Sequence, residues 1–290
     1  MAETAYLNGE FLTPETACVP VMDRGFLFGD SCYEVIPVYD GQPFLLDAHL
    51  DRFARSLAAL DIADPMSREV WNEVLGELVQ RCGAGDALIY AQVTRGISAI
   101  RDHAAVSGLK PTVFAMAKPF PGMAAADIER GLTAITLEDI RWQRCDIKAT
   151  TLLANVLARK QAASEGADEA ILIRDGRVTE GAASNVFVVL NGLVVTPPKT
   201  NEILAGITRD FILELAAGDG IPYAEASVDA GDLEQAEEIW ISSSSKEVMP
   251  VVRLNARLIG DGKPGAVWRR VRDLFSAHRS GTAFTEQTGS

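Results

Sequence analysis

Four stretches of the chain alternate apolar and polar residues on either side of an Asn-Gly or Asp-Gly pair. They are residues 6–11 around Asn8-Gly9, 33–46 around Asp40-Gly41, 170–179 around Asp175-Gly176 and 186–196 around Asn191-Gly192. Such pairs readily supply two consecutive positive-φ residues, so each stretch predicts an antiparallel hairpin, not a strand-helix-strand crossover. Between the hairpins the apolar period becomes helical. Asp47 is expected to cap a helix with Leu50, Phe53, Leu57 and Leu60 inward. Ser67 is expected to cap another with Val70, Val74, Leu78 and Val79 inward, closed by Gly83. Extended segments follow over 87–94 and 112–118, and then Lys118-Pro119-Phe120-Pro121-Gly122 interrupts all periodicity and marks a domain boundary.

The second half opens with a strand over 132–137. An alternating, Trp-bearing segment, 139–148, is expected to run extended and to deliver Lys148 to the start of a helix. The apolar positions Leu152, Leu153, Val156 and Leu157 of that helix repeat at helical spacing. Helices are predicted near 207–217 and 266–277, and strands near 223–228 and 238–242. Residues 280–290 are small and polar and read as a frayed tail. The fold class is therefore α+β in two domains: a small domain over 1–118, a linker over 119–125, and a larger domain over 126–279 followed by the tail.

With 290 residues, 48% of them hydrophobic, the chain is long enough for two cores. A net charge of -13 argues against a nucleic-acid or anionic-membrane surface, so an anionic ligand must be held by a few placed arginines. Cys18, Cys32, Cys82 and Cys145 contain no C-x-x-C pair, which suggests neither a zinc site nor a disulfide framework, and no metal is expected. No leader-like N-terminus is present, and no apolar run approaches the ~18–20 residues of a membrane span. The expectation is a soluble cytoplasmic protein. There is no G-x-x-x-x-G-K-[ST], and Gly83-Ala84-Gly85 lacks a third glycine and precedes a strand, so nucleotide readings fail.

Lys148 is the leading candidate for chemistry. A lysine held by rigid structure and partly desolvated beside Arg141 and Arg144 can act as nucleophile or base, although by itself it reads more readily as a solvated lysine at a helix start. Thr179-Glu180-Gly181-Ala182-Ala183 puts a carboxylate at a strand end ahead of small residues, where a flat ligand could approach or a plain turn could form. A lysine plus a carboxylate able to keep a pyridine nitrogen protonated is the minimum equipment for pyridoxal phosphate. An anion site is available where Gly206 precedes the helix starting with Ile207 and Thr208. The run Ser242 to Ser245 adds hydroxyls, and Arg52 adds a guanidinium. Each of these alone is weak.

Taken in order, Asp23-Arg24-Gly25-Phe26-Leu27-Phe28-Gly29-Asp30, Tyr33-Glu34-Val35, His49-Leu50-Asp51-Arg52, Gln92-Val93-Thr94-Arg95-Gly96, Asp139-Ile140-Arg141-Trp142, Cys145-Asp146-Ile147-Lys148, Thr179-Glu180-Gly181, Ser184-Asn185-Val186-Phe187 and Gly206-Ile207-Thr208-Arg209 are far more specific than any single motif. By these the chain resembles the fold-type IV pyridoxal-phosphate aminotransferases, and within them the branch acting on D-amino acids. The resemblance implies a small N-terminal α/β domain and a larger C-terminal domain with an antiparallel-rich, barrel-like sheet. It implies pyridoxal 5'-phosphate anchored on Lys148, which also carries the proton between substrate and cofactor. Glu180 would pair with the ring nitrogen, and Leu204 would pack on the ring. Arg52, the amides of Ile207 and Thr208, the Thr208 hydroxyl and Ser244 would hold the phosphate.

The same resemblance makes Arg101 and His103, lent by the neighbouring subunit of a homodimer, trap the substrate carboxylate together with Tyr33. The implied substrates are D-amino acids of the alanine and glutamate type with 2-oxoglutarate or pyruvate. A branched-chain L-aminotransferase is the nearest alternative within the fold, and Arg101-Asp102-His103 argues against it. An aminodeoxychorismate-lyase-type reaction is the alternative in another class, and a cofactor-binding protein without turnover is a fourth. Departures from the D-amino-acid pattern are Ala182 and Ala183 in place of hydroxyls, and Lys246 in place of a smaller neutral residue.

Overall fold

The computed structural model describes residues 4–104 and 108–280 and resolves the chain into two compact units. The first comprises Met1–Gly122 with Ile147–Leu152, and the second Met123–Asp146 with Leu153–Ser290. Residues 147–152, assigned by sequence to the second domain, therefore pack with the first. The expected tail lies outside the described residues from 281 onward.

In the first unit the order is β1 (Ala5–Leu7), β2 (Glu10–Leu12), α1 (Arg24–Phe28), β3 (Ser31–Tyr39), β4 (Gln42–Pro43), α2 (Leu46–Ala59), α3 (Arg68–Cys82), β5 (Ala87–Thr94) and β6 (Thr112–Pro119). The strands make one antiparallel sheet in the order β2-β1-β6-β5-β3-β4. Asn8 and Gly9 take φ of 52° and 107°, and Asp40 and Gly41 take 48° and 75°, as two-residue hairpins demand. Alternation along β3 sends Cys32, Ile36 and Val38 into the core against Leu50, Phe53 and Leu57 of α2 and Trp71, Leu75 and Leu78 of α3. Glu34 shares that inward parity, which sends a carboxylate to the α2 side.

Two details of the helices differ from expectation. Asp47 does not cap α2; the cap position is Leu45, left-handed at φ 52°, with no side-chain cap bond. Ser67 does cap α3, yet Val70 lies on its outer side while Trp71 and Leu75 turn inward.

The second unit runs α4 (Ala125–Arg130), β7 (Leu132–Glu138), α5 (Leu153–Ser164), β8 (Glu169–Arg174), β9 (Arg177–Gly181), β10 (Asn185–Leu190), β11 (Leu193–Thr196), α6 (Ile207–Gly218), β12 (Tyr223–Glu225), α7 (Asp232–Gln235), β13 (Glu238–Ser243), β14 (Glu247–Leu254), β15 (Arg257–Leu258) and α8 (Ala266–Arg279). Its sheet is ordered β12-β11-β10-β13-β14-β7-β8-β9, with β15 beside β14; β7 runs parallel to both neighbours and β12 parallel to β11. The Asp175-Gly176 and Asn191-Gly192 turns close β8-β9 and β10-β11 as predicted. Residues 139–148 form no strand, and α5 begins at Leu153, so Lys148 is not at a helix mouth. The apolar positions Leu153, Val156 and Leu157 face outward at 72%, 57% and 48% exposure. The inward face of α5 is Ala158 and Ala162, packed on Ile135 and Leu172.

Candidate active site

Lys148 is placed by strand pairing. Its carbonyl accepts from the Tyr33 amide (3.0 Å), the Thr150 amide donates to the Ser31 carbonyl (3.1 Å), and Cys32 bridges Ala149 in antiparallel sense. Ile147 and Ala149 are buried in the first core, so alternation turns Lys148 to the opposite side. There its Nζ stands 4.3 Å from the centroid of the Tyr33 ring, a cation–π contact that fixes a flexible side chain. The Lys148 amide donates to Ser56 Oγ of α2 at 3.2 Å. Tyr33 in turn stacks on Tyr90 at 5.7 Å, and burial pushes the Tyr90 phenol up to about 12.

Beneath this lies a buried triad. Glu34 accepts from Arg52 Nε (2.7 Å) and Nη2 (2.8 Å) and pairs with His49 Nδ1 (2.9 Å). Burial alone would raise the Glu34 pKa, but the Arg52 guanidinium and His49 outweigh it and hold it at about 2. Burial lowers the His49 pKa, with Arg52 and Lys148 adding repulsion that Glu34 only partly offsets. Arg52 is thus oriented bidentately, a geometry that lysine could not reproduce.

Arg101 and His103 are exposed, on a loop tied to α1 of its own chain. The Arg24 guanidinium donates to the carbonyls of Asp102 (2.7 Å) and His103 (3.2 Å), and Arg101 and His103 both pack on Phe28. Asp30 braces Arg24 and Arg95 at 2.8 and 2.7 Å.

In the second unit, Glu180 stands near the end of β9, where three donors converge on it. Arg141 Nη1 reaches Oε1, and the Leu204 amide (3.0 Å) and Asn185 Nδ2 (3.2 Å) reach Oε2. Arg141 also grips Asp139 through Nε and Nη2, both at 2.8 Å, and Thr179 donates to the same carboxylate. Burial would raise the Asp139 pKa, but Arg141 turns the shift downward. Arg141 and Arg144 are each satisfied by carboxylates, Arg144 by Asp146 at 3.0 Å, so they are not the bare cations expected beside Lys148.

The α6 terminus is close by. Asn185 also bonds the Leu204 carbonyl at 2.9 Å, and a Cβ on Gly206 would stand 2.0 Å from Asn185 Oδ1, so only glycine fits where the helix begins. Ile207 and Thr208 follow, both buried, with amides that helix geometry leaves without intrahelical acceptors. Arg209, fully buried, ties this end to the Pro197 carbonyl (2.8 Å) and Glu225 (2.6 Å). Opposite Asn185 in the β10-β13 register, Ser242 carries a buried hydroxyl without a hydrogen-bond partner among the described residues. Ser244 lies half-buried in the following turn.

Sequence reasoning singled out Lys148, Glu180 and the Ser242 to Ser245 run but gave no role to Glu34, His49, Asp139 or Asn185. An inward charged residue in an apolar alternation, as at Glu34, was the available signal. Among the described residues no cluster has metal-binding character, and no helix is long and apolar enough to cross a membrane.

Residues 31–254 match the family described as amino-transferase class IV. A D-alanine aminotransferase of Staphylococcus haemolyticus is 39% identical over 273 residues, covering 94% of this chain and 96% of the relative. One from Bacillus licheniformis is 41% identical over 265 residues, covering 91% and 93%. Among solved structures, the branched-chain amino acid aminotransferase of Escherichia coli superposes with a TM-score of 0.91 at 26% identity, covering 99% of this chain and 98% of that one. That of Thermoproteus uzoniensis with norvaline gives 0.89 at 26%, covering 98% and 97%. The fold-type IV expectation is met by these structures. Since the family match starts at the first residue of β3 and ends at the last of β14, and the relatives align along nearly all of the chain, this protein belongs to the class IV amino-transferases.

Proposed function

We propose that the protein transfers the amino group of D-amino acids, D-alanine foremost, to 2-oxo acids such as 2-oxoglutarate, using pyridoxal 5'-phosphate. The observation that carries this reading is near-full-length similarity to D-alanine aminotransferases by a chain that has Arg101-Asp102-His103. The two solved structures compared above are branched-chain enzymes of lower identity, and they support the fold more than the substrate.

The residues present fit the cofactor. The orphaned Ser242 hydroxyl is a buried donor of the kind that a ligand satisfies. Bound there, pyridoxal 5'-phosphate supplies the electron sink that acidifies the substrate α-hydrogen. Lys148 would hold the group through Nζ and would move the substrate proton at that same atom, and the Tyr33 ring limits where that nitrogen can swing. Glu180, fixed by Arg141, Asn185 and the Leu204 amide, holds the proton on the ring nitrogen. Leu204 would pack on the ring. The Ile207 and Thr208 amides, the Thr208 hydroxyl and Ser244 receive the phosphate, with Arg52 adding a guanidinium held by Glu34.

Arg101 and His103 serve the neighbouring subunit, trapping the substrate carboxylate with Tyr33 and so choosing which face of the α-carbon meets Lys148. A homodimer is supported by their exposure and by the outward apolar face of α5, Leu153, Val156 and Leu157.

The test is the visible spectrum of the cofactor-loaded protein before and after D-alanine or L-alanine. Loss of the band with the D-enantiomer alone is expected. Loss with L-substrates alone would overturn the stereochemical reading, and absence of a band after reconstitution would overturn the cofactor. Lys148→Ala should abolish both the band and turnover.

A further inference from the structure

The departure at Lys246 acquires a role from its partner. Lys246 Nζ donates to Glu169 Oε2 at 2.9 Å, and Glu169 is a fully buried side chain at the start of β8. The same oxygen accepts from Ser184 Oγ at 3.3 Å. The Ser184 carbonyl receives the Gly181 amide at 2.6 Å, and a Cβ on Gly181 would stand 2.1 Å from Ser184 Oγ, so the turn after Glu180 is closed tightly on Ser184. On the other side, the Lys246 amide donates to Ser243 Oγ at 3.1 Å and closes the turn that carries Ser244. One carboxylate oxygen therefore joins two segments, the one bearing Glu180 and the one bearing Ser244.

Charge neutralisation alone does not call for Lys246. Arg159 already reaches the other Glu169 oxygen at 3.3 Å, and the Ala170 amide donates to it at 3.1 Å. What Lys246 adds is a tether between turns.

The other departures are consistent with this. Ala182 is buried among Ala162, Ala170 and Leu172, its amide bonds the Ala170 carbonyl (2.9 Å), and its carbonyl accepts from Asn155 (2.8 Å). Ala183 is exposed. Neither replaced hydroxyl position is left to organise this turn, so its geometry rests on backbone bonds, Ser184 and the Glu169 oxygen that Lys246 holds.

The geometry points to Lys246 as a positioning residue that, through Glu169 and Ser184, sets the spacing between the Glu180 turn and the Ser244 turn, and so governs retention of the phosphorylated pyridine cofactor. This rests on the cofactor reading given above. It concerns binding, not the chemical step.

The test compares the parent with Glu169→Gln/Lys246→Met, which removes both charges together and leaves net charge unchanged, and with Lys246→Arg, which keeps the cation and its reach. Apoprotein is titrated with pyridoxal 5'-phosphate, and urea unfolding is followed in parallel. The double variant is expected to unfold near the parent midpoint yet bind the cofactor about tenfold to a hundredfold more weakly, the worth of one charge-assisted hydrogen bond. Lys246→Arg should bind close to the parent. Equal affinity in parent and double variant would overturn the proposal, as would a folded Lys246→Arg protein weakened as much as the double variant. Should the double variant fail to fold, Lys246→Gln carries the same comparison, with undiminished affinity again the overturning result. A parent that binds no cofactor would instead bring down the underlying reading.

Discussion

Replacing Glu34 by glutamine tests how the first unit holds Arg52. The carboxylate is fully buried, bidentate to Arg52 and bonded to His49. Its pKa is held at about 2 against an ordinary 4.5: burial works to raise it, but the Arg52 guanidinium and His49 prevail. At about 1.36 kcal/mol per pH unit, that gap couples the carboxylate to folding by about 3 kcal/mol. Stripping one partner from a buried ion pair costs about 3–5 kcal/mol by a separate line of reasoning, so the two figures agree. Because the folded value is depressed, the stabilisation is complete above pH 4.5 and is lost as pH falls towards 2. In urea unfolding, Glu34→Gln should therefore lose about 3 kcal/mol at pH 7 and at pH 5, and the gap should narrow to about 2 kcal/mol at pH 3.5. Equal stability at pH 7 would refute the reasoning. So would a deficit that stays the same between pH 5 and 3.5, since a loss of packing alone does not titrate.

Three further outcomes follow from the same geometry. His49 has a pKa lowered first by burial, so the unfolded chain binds a proton that the folded one does not, and stability should decline as pH drops below about 6.5; a His49→Asn variant should flatten this slope in unfolding measured from pH 7.5 to 5.5. Arg101 is exposed and makes no core contribution, so Arg101→Leu should leave the unfolding midpoint unchanged while raising KM for D-alanine about tenfold to a hundredfold in steady-state kinetics; an unaltered KM would remove it from the substrate site. Leu153→Asp puts a charge on the outward apolar face of α5, and sedimentation should show the proposed dimer weakened, whereas unchanged association would move the interface elsewhere.

The hairpins were legible because a two-residue Asn-Gly or Asp-Gly turn is decided locally, and all four take the required positive φ. Lys148 was singled out from its sequence context, but its setting was not legible there. Residues 147–152 are organised by pairing with β3, more than a hundred positions earlier, which no local window contains. Helical periodicity located α5 within a few residues but left open where its Leu153, Val156 and Leu157 stripe faces, because periodicity identifies an apolar face and not what covers it. β14 went unread since Pro250 sits within it and the charged Glu247 opens it. The bonds Glu34–Arg52, Glu180–Arg141 and Glu169–Lys246 depend on which strand faces which helix or turn, so the residues were visible and the partnerships were not.

Those partnerships resolve an apparent conflict between an acidic chain and an anionic cofactor. With a net charge of -13, the protein has no broad positive field to draw phosphate or carboxylate in, so binding must come from a few groups already aimed. The guanidinium proposed to meet the phosphate, Arg52, is aimed by the buried Glu34, and Arg141, which holds the proposed ring partner Glu180, is aimed by the buried Asp139. A guanidinium gripped on one edge has little side-chain freedom left to lose when an anion meets the other, which lowers the entropic cost of binding. The acidic residues that make the global field unfavourable thus supply the local order on which anion recognition depends. Salt should then weaken cofactor binding only slightly, since buried pairs are screened far less than a surface field; a steep fall in affinity between low and high ionic strength would show that long-range attraction, not prior orientation, holds the phosphate.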